Sequence, residues 1–363
     1  MKDLFYGILE LASQKKYSDI HLNTGYLPTV RNNSGQIEEL TEVEVNGVIQ
    51  KTSMLSLDDM KEIIELVIEK KGLEKFLIEH EVDGSYKYLE KERYRINCYV
   101  DSHGYSMAMR TIPKKIPTME ELGLWEQLKS LCKRSKWLIL MTGPTGTGKS
   151  TNIAAMIDHI NKTQSKHIIT IEDPIEFEFE NDKCLINQRQ IGVHTESFAS
   201  AIRASLREDP DIIVIGEMRD PETIRAAITL AETGHLVLST LHTNDTVQTI
   251  DRIVDVFPSD QQNQVRMQFA MNLLGVVSQR LLPRSDTDGR IAAREILLNN
   301  DATRNLIISG KTNQLYSVLE IGQKSGMILM DKYLAALYKK GLINRETLVS
   351  FTRDKDNLDI LGN

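Results

Sequence analysis

The sequence predicts an α/β protein in which a mostly parallel sheet packs between helices, with a smaller α+β domain ahead of it and a helical tail behind. Three observations predict it. From Trp137 onward, short apolar runs alternate with helical stretches, the order that folds into parallel strands joined by crossover helices. Before that, Thr111-Ile112-Pro113-Lys114-Lys115-Ile116-Pro117 sets two prolines and two lysines between patterned segments, which marks an extended connector. At 363 residues with 41% hydrophobic side chains, the chain holds enough apolar material for two cores. The expected domains are 1–110 and 118–363, joined by 111–117, with the tail starting near Asp301.

In the first domain, Leu4, Phe5, Ile8, Leu9 and Ala12 fall at helical spacing, and Asp19-Ile20-His21-Leu22 alternates like a strand. Ser56-Leu57-Asp58-Asp59 has the form of a capping box with Asp in place of Glu. The helix after it carries Ile63, Ile64, Val67 and Ile68 on one face and is expected to end before Gly72. Tyr94, Ile96, Cys98 and Val100 alternate with polar residues, as do Tyr105, Met107 and Met109, around a turn at 101–104. A symmetric turn pairs Val100 with Tyr105 and sets Arg95 opposite Arg110. Like charges in register cost a few tenths to roughly 1 kcal/mol. Either an anion is received there, or the two side chains splay into solvent or meet separate carboxylates.

The core strands of the second domain are expected at 137–141, 167–171, 211–215 and 236–241. Segments 276–282 and 290–298 flank a Pro/Asp/Gly-rich loop and read as an antiparallel hairpin extending the sheet. Beyond Asp301, Gly310, Gly326 and Gly341 break a helical pattern, and Asn344 stands where the last helix is capped. The polar end, 354–363, is given no role.

A net charge of −7 argues against a dedicated nucleic-acid binder. Apolar runs of only about half a dozen residues predict no integral membrane segment, and the N-terminus lacks a signal-peptide pattern, so a cytoplasmic protein is expected. Cys98, Cys132 and Cys184 lie far apart with no C-x-x-C pair, which points to neither a zinc site nor a disulfide framework.

Gly143-Pro144-Thr145-Gly146-Thr147-Gly148-Lys149-Ser150-Thr151 is a complete phosphate-binding loop between an apolar strand and a helix. Its glycines let successive backbone N–H groups face the β-phosphate, and the helix start adds partial positive charge. Lys149 is expected to reach the β- and γ-phosphates of ATP, and Ser150 to hold Mg²⁺.

ATP hydrolysis also needs a metal-holding acid, a carboxylate for the attacking water and a γ-phosphate sensor. Asp211-Ile212-Ile213-Val214-Ile215-Gly216-Glu217 ends a buried run in an acid, which makes Glu217 a Mg²⁺ partner through water. Glu172-Asp173-Pro174-Ile175-Glu176 places three carboxylates beyond a strand. Pro174 either aims Glu176 at the phosphates as a general base, or the segment is a solvated acidic loop. His242 follows another apolar strand, where it either bonds the γ-phosphate or its water, or satisfies a backbone carbonyl.

In this order the motifs resemble the secretion-ATPase superfamily, and within it the type IV pilus retraction ATPases. The phosphate loop is Gly143 to Thr151 and the acidic box runs from Ile168 to Phe177. An atypical Walker B element runs from Leu206 to Asp220, and a histidine box from Thr233 to Thr243. The resemblance implies a RecA-like P-loop motor domain preceded by a PAS-like domain, in a homo-hexamer with ATP between the two domains. It makes Glu176 the catalytic carboxylate, Glu217 the Mg²⁺ partner, and Arg95 and Arg110 the arginines supplied by the N-terminal domain. It further implies an inner-membrane pilus platform protein and a paralogous pilus ATPase as partners, at the inner face of the cytoplasmic membrane. The four-cysteine loop of the extension and type II secretion branches is missing, and Ala302-Thr303-Arg304-Asn305-Leu306-Ile307 resembles the retraction signature. Ile308-Ser309 and Asp101-Ser102 depart from that family's pattern. The alternatives are an assembly or DNA-uptake motor of a related filament, or a nucleotide-binding ring subunit of low activity.

Overall fold

The computed structural model describes residues 1–32, 35–89, 92–112, 115–124 and 126–355. Its contacts separate two units, Met1–Lys115 with Pro174–Glu178, and Ile116–Asp173 with Phe179–Asn363. Thr111 and Ile112, expected in the connector, instead finish a strand, paired with Tyr94 and Arg93. Pro113 and Lys114 of the connector, and 356–363 of the polar end, lie outside the described residues.

The first unit begins with α1 (Lys2–Lys15), followed by β1 (Asp19–Asn23), β2 (Thr29–Arg31), β3 (Ile37–Glu39) and a separate hairpin of β4 (Glu42–Val45) and β5 (Val48–Lys51). Next come α2 (Leu57–Val67), α3 (Lys70–Glu79), β6 (Glu81–Tyr88), β7 (Glu92–Asp101) and β8 (Gly104–Ile112). The main sheet is antiparallel in the order β3-β2-β1-β8-β7-β6. Phe5, Ile8 and Leu9 of α1 and Met60, Ile63 and Ile64 of α2 are buried with Ile20, Leu22, Tyr94, Ile96 and Met107.

Ser56 and Asp59 form the expected capping box at α2. Gly72 is not where that helix ends. The chain leaves α2 at Ile68, in extended conformation, and Gly72 falls in the first turn of α3. A Cβ at 72 would stand 2.6 Å from the Ile68 Cγ2, so glycine is there to make room for that side chain.

The β7–β8 register is the symmetric one, with Val100 opposite Tyr105 and Arg95 opposite Arg110. The Asp101 carboxylate accepts from the His103 N–H and the Ser106 hydroxyl, both at 2.8 Å, and so holds the turn. Ser85, Arg95, Arg110, Asp19 and Arg31 form one row across the sheet. Arg110 Nε lies 2.8 Å from Asp19 Oδ1, and Arg31 Nε lies 3.7 Å from Oδ2. One of the two opposed arginines has therefore met a carboxylate, while exposed Arg95 makes no ion pair among the described residues.

The second unit holds α4 (Glu126–Cys132), β9 (Trp137–Thr142), α5 (Lys149–Thr163), β10 (His167–Glu172), β11 (Leu185–Gln190) and α6 (Phe198–Ser205). It continues with β12 (Ile212–Ile215), α7 (Pro221–Glu232), β13 (Leu236–Leu241), α8 (Thr246–Asp255), α9 (Ser259–Asn272), β14 (Leu273–Pro283) and β15 (Arg290–Leu298). The tail comprises α10 (Asp301–Ile308), α11 (Leu315–Ile321), α12 (Met330–Lys339) and α13 (Arg345–Phe351). Asn344 caps α13 by accepting from the Thr347 N–H at 2.8 Å.

The sheet order is β11-β10-β12-β13-β9-β14-β15, parallel except for β15. Successive strand residues face opposite sides, so Leu138, Leu140, Ile213, Ile215 and Val237 join one core with α7 and α9. Ile139, Met141, Ile212, Val214 and Leu238 join the other with α5. Cover on both faces explains why these strands read as unbroken apolar runs.

Burial works against ionisation of Asp19, but the Ser18 hydroxyl and the Arg110 guanidinium outweigh it and hold the carboxyl below its usual range. A lowered folded pKa stabilises the protein above the ordinary carboxylate pKa and loses that contribution as pH falls below about 4. At pH 7, Asp19→Asn is expected to lose roughly 1 kcal/mol in urea denaturation, a modest figure because its arginine partners are largely solvated. The difference from the parent narrows as the pH is lowered below about 4. A pH-independent difference would assign the effect to packing.

Candidate active site

The phosphate loop joins the end of β9 to α5 on a bed formed by β14. At Gly143 the backbone takes φ +139°, and a Cβ there would collide with the Gln279 carbonyl oxygen of β14. Gly148, at φ +86°, caps α5 and lies over the Gln279 amide. Two glycines are thus required by a close approach of backbones and by left-handed turns. The loop presents the N-terminal N–H groups of a 15-residue helix, a preformed cradle for a phosphate.

Lys149, the first residue of α5, folds back over the loop. Its ammonium donates to the carbonyls of Gly143 at 2.7 Å and Pro144 at 3.0 Å. The Thr147 hydroxyl also donates to Pro144, at 2.8 Å. Ser150 is half-buried and Thr151 lies beside it in the first turn of the helix.

His242 joins this loop to the end of β12. Its Nδ1 lies 3.4 Å from both Lys149 Nζ and the Thr145 hydroxyl, and its Nε2 lies 3.2 Å from Glu217 Oε2. An ammonium only donates, so Nδ1 accepts, and the neutral ring carries its proton on Nε2 toward the carboxylate. Arg219 Nε holds the other Glu217 oxygen at 2.7 Å. The backbone-carbonyl role weighed for His242 belongs to His235, whose Nδ1 lies 3.0 Å from the Leu230 oxygen.

The loop after His242 is pinned from three sides. The Ser278 hydroxyl donates to the Asn244 carbonyl at 3.0 Å, and the Thr243 and Thr249 hydroxyls meet at 2.6 Å. Glu295 Oε1 accepts the Thr246 N–H at 2.9 Å and its hydroxyl at 2.7 Å, while Oε2 accepts the Met330 N–H at 3.2 Å. Burial pushes the Glu295 carboxyl up, against the pull of those bonds.

A buried polar chain lies beneath the phosphate loop. The Gln279 amide donates to the Thr147 carbonyl at 2.5 Å, and its oxygen accepts from Asn152 at 2.7 Å and Arg294 Nε at 2.6 Å. Arg294, only 2% exposed, reaches the Leu122 and Gly123 carbonyls with its remaining nitrogens. Sequence reasoning missed Gln279, Arg294 and Glu295. The available signal was the Arg294-Glu295 pair standing inside an otherwise apolar strand.

The structure therefore brings together Thr145 and Lys149 of the phosphate loop, His242 and Glu217 from three segments. Glu176, Arg95 and Arg110 belong to the other unit, where neighbouring Glu178 pairs with Arg93 at 3.3 Å and Lys87 at 3.7 Å. Glu172 Oε1 accepts from the Thr170 hydroxyl at 2.6 Å and from the Gln188 amide at 3.3 Å.

Gln279→Leu leaves the Thr147 carbonyl, Asn152 and Arg294 each short of a buried partner, at about 1 to 3 kcal/mol apiece before relaxation. Urea denaturation is expected to show a loss of at least about 2 kcal/mol, and nucleotide binding to weaken with it. A stability change within about 0.5 kcal/mol of the parent would place the loop's support elsewhere.

Comparison with known proteins places this geometry. The family model for type II/IV secretion system proteins matches residues 4–325. Over 345 residues the chain is 43% identical to the type IV pilus retraction ATPase PilT of Pseudomonas aeruginosa, covering 93% of this chain and 95% of that protein. It is 44% identical over 306 residues to a twitching motility protein of Neisseria gonorrhoeae, covering 84% and 82%. A crystal structure of the pilus retraction motor PilT with bound ADP matches at a TM-score of 0.85 and 42% identity, covering 97% of this chain and 98% of that one. The four motifs and the parallel sheet that carries them have the same explanation: the chain belongs to the type II/IV secretion system protein family.

Proposed function

We propose that the protein is a Mg²⁺-dependent ATPase motor, assembled as a homo-hexamer, that powers type IV pilus retraction. The observation that carries the chemistry is the linked set of Lys149, His242 and Glu217 beside the phosphate loop. The direction of work is supported by similarity over nearly the whole chain to a protein named as a pilus retraction ATPase.

In this reading the loop N–H groups and Lys149 hold the β- and γ-phosphates. Ser150 and, through water, Glu217 hold the Mg²⁺, which offsets phosphate charge when bound. Donating to a phosphate oxygen draws Lys149 off the Gly143 and Pro144 carbonyls. His242 contacts both Lys149 and Glu217, so it registers that change and passes it to the loop before α8. Glu176 takes the proton of the attacking water, and Arg95 and Arg110 meet phosphate charge. Each site closes when phosphate contacts pull the N-terminal arginines toward a neighbouring motor domain, and reopens after hydrolysis removes those contacts. The platform protein at the inner face of the cytoplasmic membrane receives the work, with a paralogous pilus ATPase as a second partner. No helix among the described residues is long and apolar enough to cross a membrane, so attachment there is peripheral in this reading.

Glu176→Gln is expected to keep ATP binding and lose turnover by about 10²-fold or more, since a positioned base contributes on that order. Unchanged turnover would remove Glu176 from the base role. Cells carrying Lys149→Ala are expected to display more surface pili and to lose twitching. Bare cells would instead identify an extension motor.

A further inference from the structure

Across β6 and β7 the register sets Lys87 directly opposite Arg93, a second pair of like charges on the face that carries Arg95 and Arg110. Here a carboxylate meets both. Glu178 Oε2 lies 3.7 Å from Lys87 Nζ, and its Oε1 lies 3.3 Å from Arg93 Nη1. Arg93 is itself held in place, its side chain only 14% exposed and its Nη2 donating to the Ser85 hydroxyl at 3.2 Å. Ser85 is opposite Arg95, so the Glu178 contact sits one step along the same face from the row of Arg95, Arg110, Asp19 and Arg31.

The chain that supplies Glu178 has just left β10 of the second unit, yet Pro174–Glu178 belongs by its contacts to the first. Within that segment Ile175 and Phe177 are buried and Glu176 is half-buried. Apolar burial holds a segment down without fixing its direction. Two cations at set positions on paired strands fix where it lies. We propose that Glu178 is a positioning residue for Glu176. By fastening Pro174–Glu178 to β6 and β7, it makes the general base ride with Arg95 and Arg110 rather than with the phosphate loop. Base and arginines then reach the phosphates in one movement, and a site whose arginines have withdrawn has also lost its base. The inference rests on the reading of Glu176 as general base and deepens it, since it says what ties hydrolysis to closure. A reacting group displaced by about 1 Å can cost on the order of 10²-fold in rate, so a contact far from the water can govern it.

The test uses Glu178→Gln in the full-length protein, which keeps the side chain's size and removes its charge. Turnover is expected to fall about 3- to 10-fold, the population change that two largely exposed ion pairs can support. ADP affinity by calorimetry should stay within about twofold, and the melting temperature within about 2 °C. Amide exchange at Ile175, Glu176 and Phe177 is expected to quicken while β7 keeps its protection. In a Glu176→Gln background the same change should cost less than about twofold in turnover, because no base is left to place. Unchanged turnover, unchanged exchange, or an equal loss in both backgrounds would each overturn the positioning role. Full turnover in Glu176→Gln alone would instead overturn the base reading on which it stands.

Discussion

The backbone of β14 runs so close beneath the start of the phosphate loop that a side chain at Gly143 would collide with it. Much of the second unit follows from this approach. It forces glycine at the loop's entry, and it brings Gln279 within reach of the Thr147 carbonyl and Asn152. It also makes Arg294 on β15 a partner of the same amide. A loop built of glycines would otherwise sample many conformations, and ordering it on ligand arrival would subtract from affinity. Here the order is supplied in advance by buried hydrogen bonds, which hold shape because an unmade partner is expensive in a dry interior.

The same principle extends outward from the loop to His242. A neutral imidazole can accept at one nitrogen and donate at the other, so it connects a cation and a carboxylate without adding charge. Its loop is tied to β14 by Ser278 and to β15 by Glu295. The strands that lie beneath the phosphate loop therefore also hold the loop that carries His242. In the first unit the logic is reversed. The row of Arg95, Arg110 and Arg31 is only partly neutralised by Asp19, which leaves positive charge on a protein whose net charge is −7.

Features that depend on local chemistry are legible in the amino-acid sequence itself. The phosphate loop, the capping box at Ser56, the cap at Asn344 and the β7–β8 register are of this kind, since each is set by residues a few positions apart. The parallel core strands are legible because cover on both faces makes them continuously apolar. Short or polar strands are not. β3 and β5 are wholly exposed, and β11 shows only partial burial, so none of them carries a clear period. Gly72 misleads because a glycine that makes room for Ile68 looks the same in sequence as one that ends a helix. Gln279, Arg294 and Glu295 escape for a third reason. Their partners lie 15 to 172 residues away, and only the folded sheet brings them together.

Glu295 also has a mechanical consequence. One buried carboxylate accepts from the first residues of both α8 and α12. Shearing one helix start past the other would strip an anion of its donors where no solvent can replace them. The two helices thus behave as a riveted joint. A displacement of the His242 loop would therefore be felt at the start of α12, the third helix of the tail.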